Sequence, residues 1–411
     1  MTPLVHMLRG IIRDGGLTLV GPDGRCSSIG DEPSLLVVRI TEPAVPRRIL
    51  LNPDIALGEA YMNGHLTVEG GDIYDFLELC FANLGWSSGS TIRRIRASFA
   101  RLVRRLTQYN PVRIARANVA HHYDLSDRLY AMFLDASRQY SCAYFMDASD
   151  RLERAQKQKM RHLAAKLLLR AGHRVLDIGA GWGGLGLYLA RQADVDVTGL
   201  TLSTEQHAYA QRRSSELGES DRVRFMLRDY RQELGSYDRI VSVGMFEHVG
   251  VGHYPEYFAK LRDLLAEDGV ALLHTIGRAD GPGAANAWIN KYIFPGGYVP
   301  ALSEIIPAIE RAGLYITDVE VLRLHCAETL REWRLRFLSN RARVAQLYDE
   351  RFCRMWEFYL AGCEAAFRHG GLLNFQLQLS KRIETVPLTR GYITDWERSH
   401  EIAETDSRSA L

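Results

Sequence analysis

The sequence lacks most of the features that fix a protein's compartment or chemistry at first sight. Its six cysteines (Cys26, Cys80, Cys142, Cys326, Cys353, Cys363) form no CxxC pair and no metal-ligand spacing, which points away from a disulfide framework or a metal centre. No apolar run reaches the roughly 20 residues that span a bilayer. The start, Met1-Thr2-Pro3-Leu4-Val5-His6-Met7-Leu8, has no uninterrupted apolar core of the secretory kind. Charge of one sign is also scarce, since 51 Lys and Arg against 49 Asp and Glu leave a formal net charge of +2. A cytoplasmic protein with reduced thiols follows as the expectation, and any membrane is touched from one side only.

What is present is length and pattern. A chain of 411 residues is long enough for two domains with separate cores. Residues 1–92 mix short strand-like runs, such as Leu35 to Ile40, with a helical pattern near Ile73 to Cys80. Residues 93–106 then change character abruptly. Ile95, Phe99, Leu102, Val103 and Leu106 follow helical spacing, and six arginines occupy much of the rest. Two readings fit this basic amphipathic helix: a solvated helix packed by its apolar stripe, or a helix lying on anionic lipid headgroups. A nucleic-acid partner is not expected, because aromatic interleaving and any recognisable module are missing. Asn110-Pro111 marks a boundary, so the predicted organisation is 1–92, a helix and linker over 93–118, and a catalytic domain over 119–411.

From residue 119 the pattern becomes α/β. Strand-like runs at Arg174 to Ile178, Val195 to Leu200, Val223 to Leu227, Arg239 to Val243 and Val270 to Thr275 alternate mostly with helical patterns, the signature of a doubly wound parallel sheet. The tail from Glu328 onward reads mainly as helix.

The first strand runs into Asp177-Ile178-Gly179-Ala180-Gly181-Trp182-Gly183-Gly184. The glycine spacing alone also satisfies a dinucleotide fingerprint. However, Asp177 sets a carboxylate two residues before the first glycine, unfavourable beside a pyrophosphate and useful beside an ammonium group. The second strand ends Gly199-Leu200-Thr201-Leu202-Ser203 with no acid before Glu205, where a dinucleotide site wants one. S-adenosylmethionine, whose amino-acid end carries an ammonium, is the better occupant.

Ligands of open parallel sheets gather beyond the carboxyl ends of the strands. The fourth strand brings Met245-Phe246-Glu247-His248 to that edge and the fifth brings Leu273-His274-Thr275-Ile276. Glu247 and His274 are therefore a candidate acid/base or anion-holding pair.

Taken in order, several runs resemble the cyclopropane-fatty-acyl-phospholipid synthases and their mycolic-acid relatives. They are His122-Tyr123-Asp124-Leu125-Ser126, Tyr140-Ser141-Cys142-Ala143-Tyr144-Phe145, the glycine turn, Gly199 to Ser203, Met245 to His248, Leu272 to Ile276 and Ile293-Phe294-Pro295-Gly296-Gly297. Gly58-Glu59-Ala60-Tyr61-Met62 resembles the amino-terminal lipid-binding domain of the phospholipid-acting branch. The resemblance implies a class I methyltransferase sheet with helical insertions, a smaller amino-terminal α+β domain, an unsaturated phospholipid substrate and a dimer at the inner membrane surface.

By the same resemblance Tyr123, Tyr140 and Ser141 cover the cofactor, with Gly179 and Gly181 beneath it. Thr201, Leu202 and Gln206 hold its ribose and adenine side, and Asp229 with Tyr230 closes the adenine pocket. A bicarbonate ion is expected in a cradle of Cys142, Glu247, His274 and Ile276, the first and last through backbone groups. Cys363 matches a cysteine sometimes assigned to the active site, although a buried structural cysteine is the commoner case. One departure stands out. The family pattern His-Tyr-Ala-x-Thr-Leu reads His325-Cys326-Ala327-Glu328-Thr329-Leu330 here. A thiol at Cys326 replaces a bicarbonate-contacting phenol, and it is a weaker and shorter donor.

Overall fold

A computed structural model describes residues 1–33, 35–84 and 127–406, the last five by backbone alone. The basic helix expected over 93–106 and Tyr123 lie outside the described residues.

The chain forms two compact units that are discontinuous in sequence. One takes in the described residues of Met1–Leu102, Gly283–Pro295 and Cys326–Leu372, the other those of Val103–Pro282, Gly296–His325 and Leu373–Leu411. These units cut across a single boundary near residue 119, because stretches far along the chain pack with the amino-terminal residues. Ala361 and Ala365, for example, lie buried in the same core as Leu4, Leu19 and Phe76.

The first unit carries a four-stranded sheet in the order β2-β1-β3-β4, from Gly16–Val20 (β1), Cys26–Gly30 (β2), Val37–Ile40 (β3) and Leu66–Glu69 (β4). β1 and β2 are antiparallel neighbours, paired from Gly16 opposite Gly30 to Val20 opposite Cys26. Alternation places Leu17, Leu19, Val38 and Ile40 in the core. The helix Glu350–His369 of this unit is capped by Asp349, whose carboxylate accepts from the Phe352 N–H at 2.7 Å.

The second unit is built on a seven-stranded sheet: Arg174–Ile178 (β5), Asp196–Thr201 (β6), Val223–Leu227 (β7), Tyr237–Val243 (β8), Leu265–Arg278 (β9), Tyr315–Leu322 (β10) and Leu372–Ser380 (β11). Its order is β10-β11-β9-β8-β5-β6-β7. β5 pairs in parallel with β6 and with β8, β6 with β7 and β8 with β9, while β10 and β11 are antiparallel. The chain winds outward in both directions from β5, which creates a topological switch point between β5 and β8.

The five predicted strands correspond to β5 through β9. The tail is mainly helical, as expected, with one exception: after the helix Glu350–His369, β11 enters the sheet beside β9. Its sequence, Leu-Leu-Asn-Phe-Gln-Leu-Gln-Leu-Ser, alternates with the period of a strand. Phe375, Leu377 and Leu379 join the apolar core, and Asn374, Gln376 and Gln378 alternate with them yet are also buried. Polar residues on a buried face hid the strand from a hydrophobicity reading.

Candidate active site

The switch point holds one cleft enclosing about 150 Å³, lined by the ends of β5, β6 and β8 and by the segment Arg138 to Ser141. Gly179, Gly181 and Gly183 carry φ values of +88°, +55° and +82°, a region that strains any residue with a Cβ. The helix Gly184–Ala193 starts directly after them. Gly184 is required for a different reason. A Cβ there would meet the Ser137 carbonyl oxygen at 2.1 Å and the Gln139 amide nitrogen at 2.6 Å. The last glycine of the fingerprint thus admits the 137–141 segment to the cleft.

Asp177 ends β5 fully buried, and its Oδ2 has no hydrogen-bond partner. Burial pushes its carboxyl up to about 7, opposed only by the nearby Lys159 ammonium. An unpartnered acceptor of this kind, on the wall of a cleft floored by bare backbone, suits a cationic ligand group. The methionine ammonium of S-adenosylmethionine has that charge and donor set, so the residues present fit this cofactor.

Across the cleft, Ser203 caps the helix Thr204–Glu216 by accepting from the Gln206 N–H at 3.3 Å. The cap brings Gln206 back towards the strand end, where its Oε1 accepts from the Thr201 hydroxyl at 2.9 Å. Asp229 is held by Arg231, whose guanidinium reaches both carboxylate oxygens at 2.9 and 2.7 Å. Tyr230 packs edge-on against Tyr257.

Tyr140, Ser141, Asp177, Gly179, Gly181, Thr201, Leu202, Gln206, Asp229 and Tyr230 therefore line a single cleft. Arg138, Trp182, Arg228, Arg231, Met245 and His248 line it too, and sequence reasoning gave them no role there. His248 is half-buried and held to about 4 by desolvation, hence neutral at physiological pH.

Of the second set of predicted residues, the structure joins Glu247 to Ile276. Glu247, in the single turn Phe246–His248, accepts from the Ile276 N–H at 2.6 Å through Oε1, while Oε2 has no partner. Burial raises its carboxyl, and the N–H of Ile276 and the Thr275 hydroxyl oppose the rise. His274 lies two residues earlier on β9, pushed down to about 3 by burial and therefore neutral. Its two ring nitrogens face the side-chain amides of Gln376 and Asn374 at 3.2 and 3.5 Å. Both facing atoms are amide nitrogens, which donate, so a neutral imidazole with its single lone pair accepts from one of them, and the other contact becomes a hydrogen bond only with that amide turned to present its oxygen. These β11 side chains hold the ring from both sides, and only the strand's period-2 pattern could have signalled them.

Cys142 is buried with its thiol 3.3 Å from the Ala143 carbonyl oxygen. Cys326 and Cys363 belong to the first unit. Cys326 is buried on the helix His325–Ser339. Burial pushes the Cys363 thiol up to about 12, the opposite of what a thiolate nucleophile needs.

Comparison with known proteins agrees with this geometry. A family model described as mycolic acid cyclopropane synthetase matches residues 112–377. The cyclopropane-fatty-acyl-phospholipid synthase of Escherichia coli (strain K12) is 39% identical over 350 residues, 84% of this chain and 88% of its own. Tuberculostearic acid methyltransferase UfaA1 of Mycobacterium tuberculosis (strain ATCC 25618 / H37Rv) is 39% identical over 387 residues, 88% of this chain and 87% of that protein. Among solved structures, mycolic acid cyclopropane synthase CmaA1 complexed with SAH and CTAB aligns with a TM-score of 0.62 at 34% identity, over 66% of this chain and 99% of that one. Fold, cleft and sequence converge: the chain belongs to the mycolic acid cyclopropane synthetase family and is an S-adenosylmethionine-dependent methyltransferase.

Proposed function

We propose that the protein methylates the double bond of an unsaturated acyl chain in a membrane phospholipid and closes a cyclopropane ring there. The observation that carries the phospholipid substrate is the reach of the match. The mycolic-acid structure covers 66% of this chain, whereas the Escherichia coli phospholipid synthase aligns over 84%. The surplus favours an enzyme with an additional unit for handling lipid.

When bound, S-adenosylmethionine would supply an electrophilic methyl group to the acyl π bond, the methyl–sulfur bond breaking to leave S-adenosylhomocysteine and the positive charge passing to the acyl chain. Asp177 holds the cofactor's ammonium, and the backbone of Gly179 and Gly181 lets it lie close to the β5 end. Ring closure then requires removal of one proton from the new methyl. Glu247 and His274 serve as holders of a bicarbonate ion, with the backbone at Cys142 and Ile276 completing the cradle. Support comes from the unpartnered Glu247 Oε2 and from a neutral His274 whose ring is fixed on both sides. A base held in place is worth about 10²- to 10⁴-fold in rate. Cys363 enters no step, since its protonated thiol is the stable form.

The arginines of 93–106 carry the enzyme onto anionic lipid at the inner membrane surface, and the active form is a dimer. No helix among the described residues is long and apolar enough to cross a membrane.

A second reading keeps cofactor and substrate but ends in a methyl branch, with the cation shifting hydride and losing a proton elsewhere. Cys326 favours it, standing where the family's pattern has tyrosine, and the ring-forming and methyltransferase-named relatives are equally identical at 39%. Purified protein with unsaturated phospholipid vesicles and labelled cofactor tests both. Ring product from the natural sequence, unchanged by Cys326→Tyr, supports cyclopropanation. Branched product that Cys326→Tyr converts to ring supports the second reading. Labelling of soluble acceptors with vesicles ignored contradicts both.

A further inference from the structure

The helix Leu152–Lys166 is polar in sequence yet buried along most of its length, including Gln156, Gln158, Lys159, Arg161, His162 and Lys166. Burying that many polar side chains is costly unless each is matched to a partner. Gln156 and Lys159, one turn apart on the same helix face, reach the segment that lines the cofactor cleft. The Gln156 side-chain amide donates to the Ser141 carbonyl oxygen at 2.9 Å and to that of Gln139 at 3.4 Å. The Lys159 ammonium donates to the Ser141 hydroxyl at 3.0 Å and to the Gln139 side-chain oxygen. Further along, the Tyr144 N–H donates to the Ala155 carbonyl at 3.1 Å and the Met146 N–H to Gln158 Oε1 at 3.3 Å. From the other side, Asp135 fixes the same segment through the N–H groups of Ser137 and Gln139, both at 2.9 Å.

We propose that Gln156 and Lys159 are positioning residues that clamp residues 139–141 over the cofactor, Lys159 also supplying a buried cation whose charge acts on Asp177. The proposal rests on the reading of this cleft as the S-adenosylmethionine site. Ser141 and Gln139 are wall residues of the cleft, so their placement sets its width. Lys159 touches only the wall, and its effect on the ligand passes through Ser141, Gln139 and the field at Asp177.

The groups that feel Lys159 come from every element around it: Asp135, Cys142, Asp177 at the end of β5 and His274 on β9. Burial lowers the Lys159 ammonium to about 8. The clamp therefore loses its charge as pH rises through that value, and two strong donor bonds become weak ones. Part of the alkaline fall in cofactor affinity therefore originates outside the ligand's contact shell, beyond what deprotonation of the ligand's own ammonium causes.

The test is calorimetric binding of S-adenosylhomocysteine to the full-length protein between pH 6.5 and 9.5, with thermal unfolding recorded for each variant. For the natural protein the account expects affinity to weaken at least about tenfold from pH 7.5 to 9.5. Lys159→Met is expected to bind at least about tenfold more weakly at pH 7.5 and to keep only the alkaline fall that the ligand's own ammonium imposes as it deprotonates. Gln156→Leu is expected to bind more weakly with the alkaline limb intact, since it removes a hold without removing charge. The kinetic split follows, with KM for the cofactor raised more than kcat is lowered. Wild-type affinity and an unaltered pH profile in Lys159→Met would overturn the proposal. Should Lys159→Met fail to fold, the natural protein's profile and Gln156→Leu decide: a flat alkaline limb with unchanged Gln156→Leu affinity also overturns it. If the natural protein binds no S-adenosylhomocysteine at all, the cofactor reading fails instead.

Discussion

Asp177 is where structure and chemistry pull in opposite directions. Its carboxyl sits fully buried without a partner for one oxygen, raised to about 7 from an ordinary value near 4. The folded protein therefore holds a proton that the unfolded chain has released. Between pH 4 and pH 7 the native state binds more protons than the unfolded one, so this residue's contribution to stability falls as pH rises through that window. Asp177→Asn should accordingly stabilise the protein at pH 7.5, by on the order of 2–4 kcal/mol before relaxation. The same substitution should abolish measurable cofactor binding, because a neutral amide offers no charge to the ammonium. In the natural protein, affinity should weaken as pH drops below 7, approaching tenfold per unit as the carboxyl must be deprotonated on binding. Thermal melts with and without S-adenosylhomocysteine at pH 5.5, 6.5 and 7.5 check both signs. An Asp177→Asn variant that is less stable and still binds would contradict the assignment.

At the scale of elements, the carboxy-terminal helix Gly391–Asp406 is tied to the sheet by a buried histidine. His162 on the helix Leu152–Lys166 is bonded through Nδ1 to Glu397 at 2.7 Å and through Nε2 to Glu320 of β10 at 2.8 Å. Two carboxylates hold its imidazole above the ordinary range despite the opposing effect of burial. Lys166 and Arg390 share the Glu320 carboxylate, and both also face Asp318. Tyr144 stacks on the His162 ring at 4.3 Å and on His325 at 4.8 Å. A raised folded value gives stability that is complete below the unfolded value near 6.5 and is lost as pH rises through the folded one. His162→Gln should cost about 3 kcal/mol near pH 6.5, and the difference from the natural protein should shrink in alkaline buffer. Denaturant midpoints at pH 6.5 and 9 measure this, and a constant difference would show that the imidazolium charge is not what ties the helix down.

This element level is also where sequence reading reached its limit. β5 through β9 announced themselves by short apolar runs between helical patterns, and the glycine turn carried its own identity in Asp177. β11 did not, because Asn374, Gln376 and Gln378 are buried opposite an apolar face and average its hydrophobicity away. The helix Leu152–Lys166 is the complementary case. Its polar composition reads as a solvated surface, and only tertiary structure reveals that Gln156 and Lys159 point at backbone and side chains of a loop 15 to 20 residues earlier. Cleft-lining residues such as Gly179, Thr201 and Asp229 were legible because they sit in motifs at strand ends, whereas Arg138, Arg228 and Arg231 carried no such signal. Those that hold the motifs in place were not, since a hydrogen bond between distant segments leaves no periodicity.

For the whole molecule, the account joins a cofactor cleft in the second unit to a chemistry that acts on lipid. Ring and branch differ only in which proton the acyl cation loses, so the two products share one elemental composition and mass alone does not separate them. Ozonolysis does, because a cyclopropane survives it and an alkene is cleaved. The most direct measurement is therefore mass spectrometry of phospholipid fatty acids, before and after ozonolysis, from a host that lacks a synthase of its own and expresses this chain. The account predicts acyl chains heavier by one CH₂ that resist ozone, absent when Asp177→Asn is expressed instead. Chains of the same added mass that ozone cleaves, or no added mass with the protein folded and abundant, would contradict it.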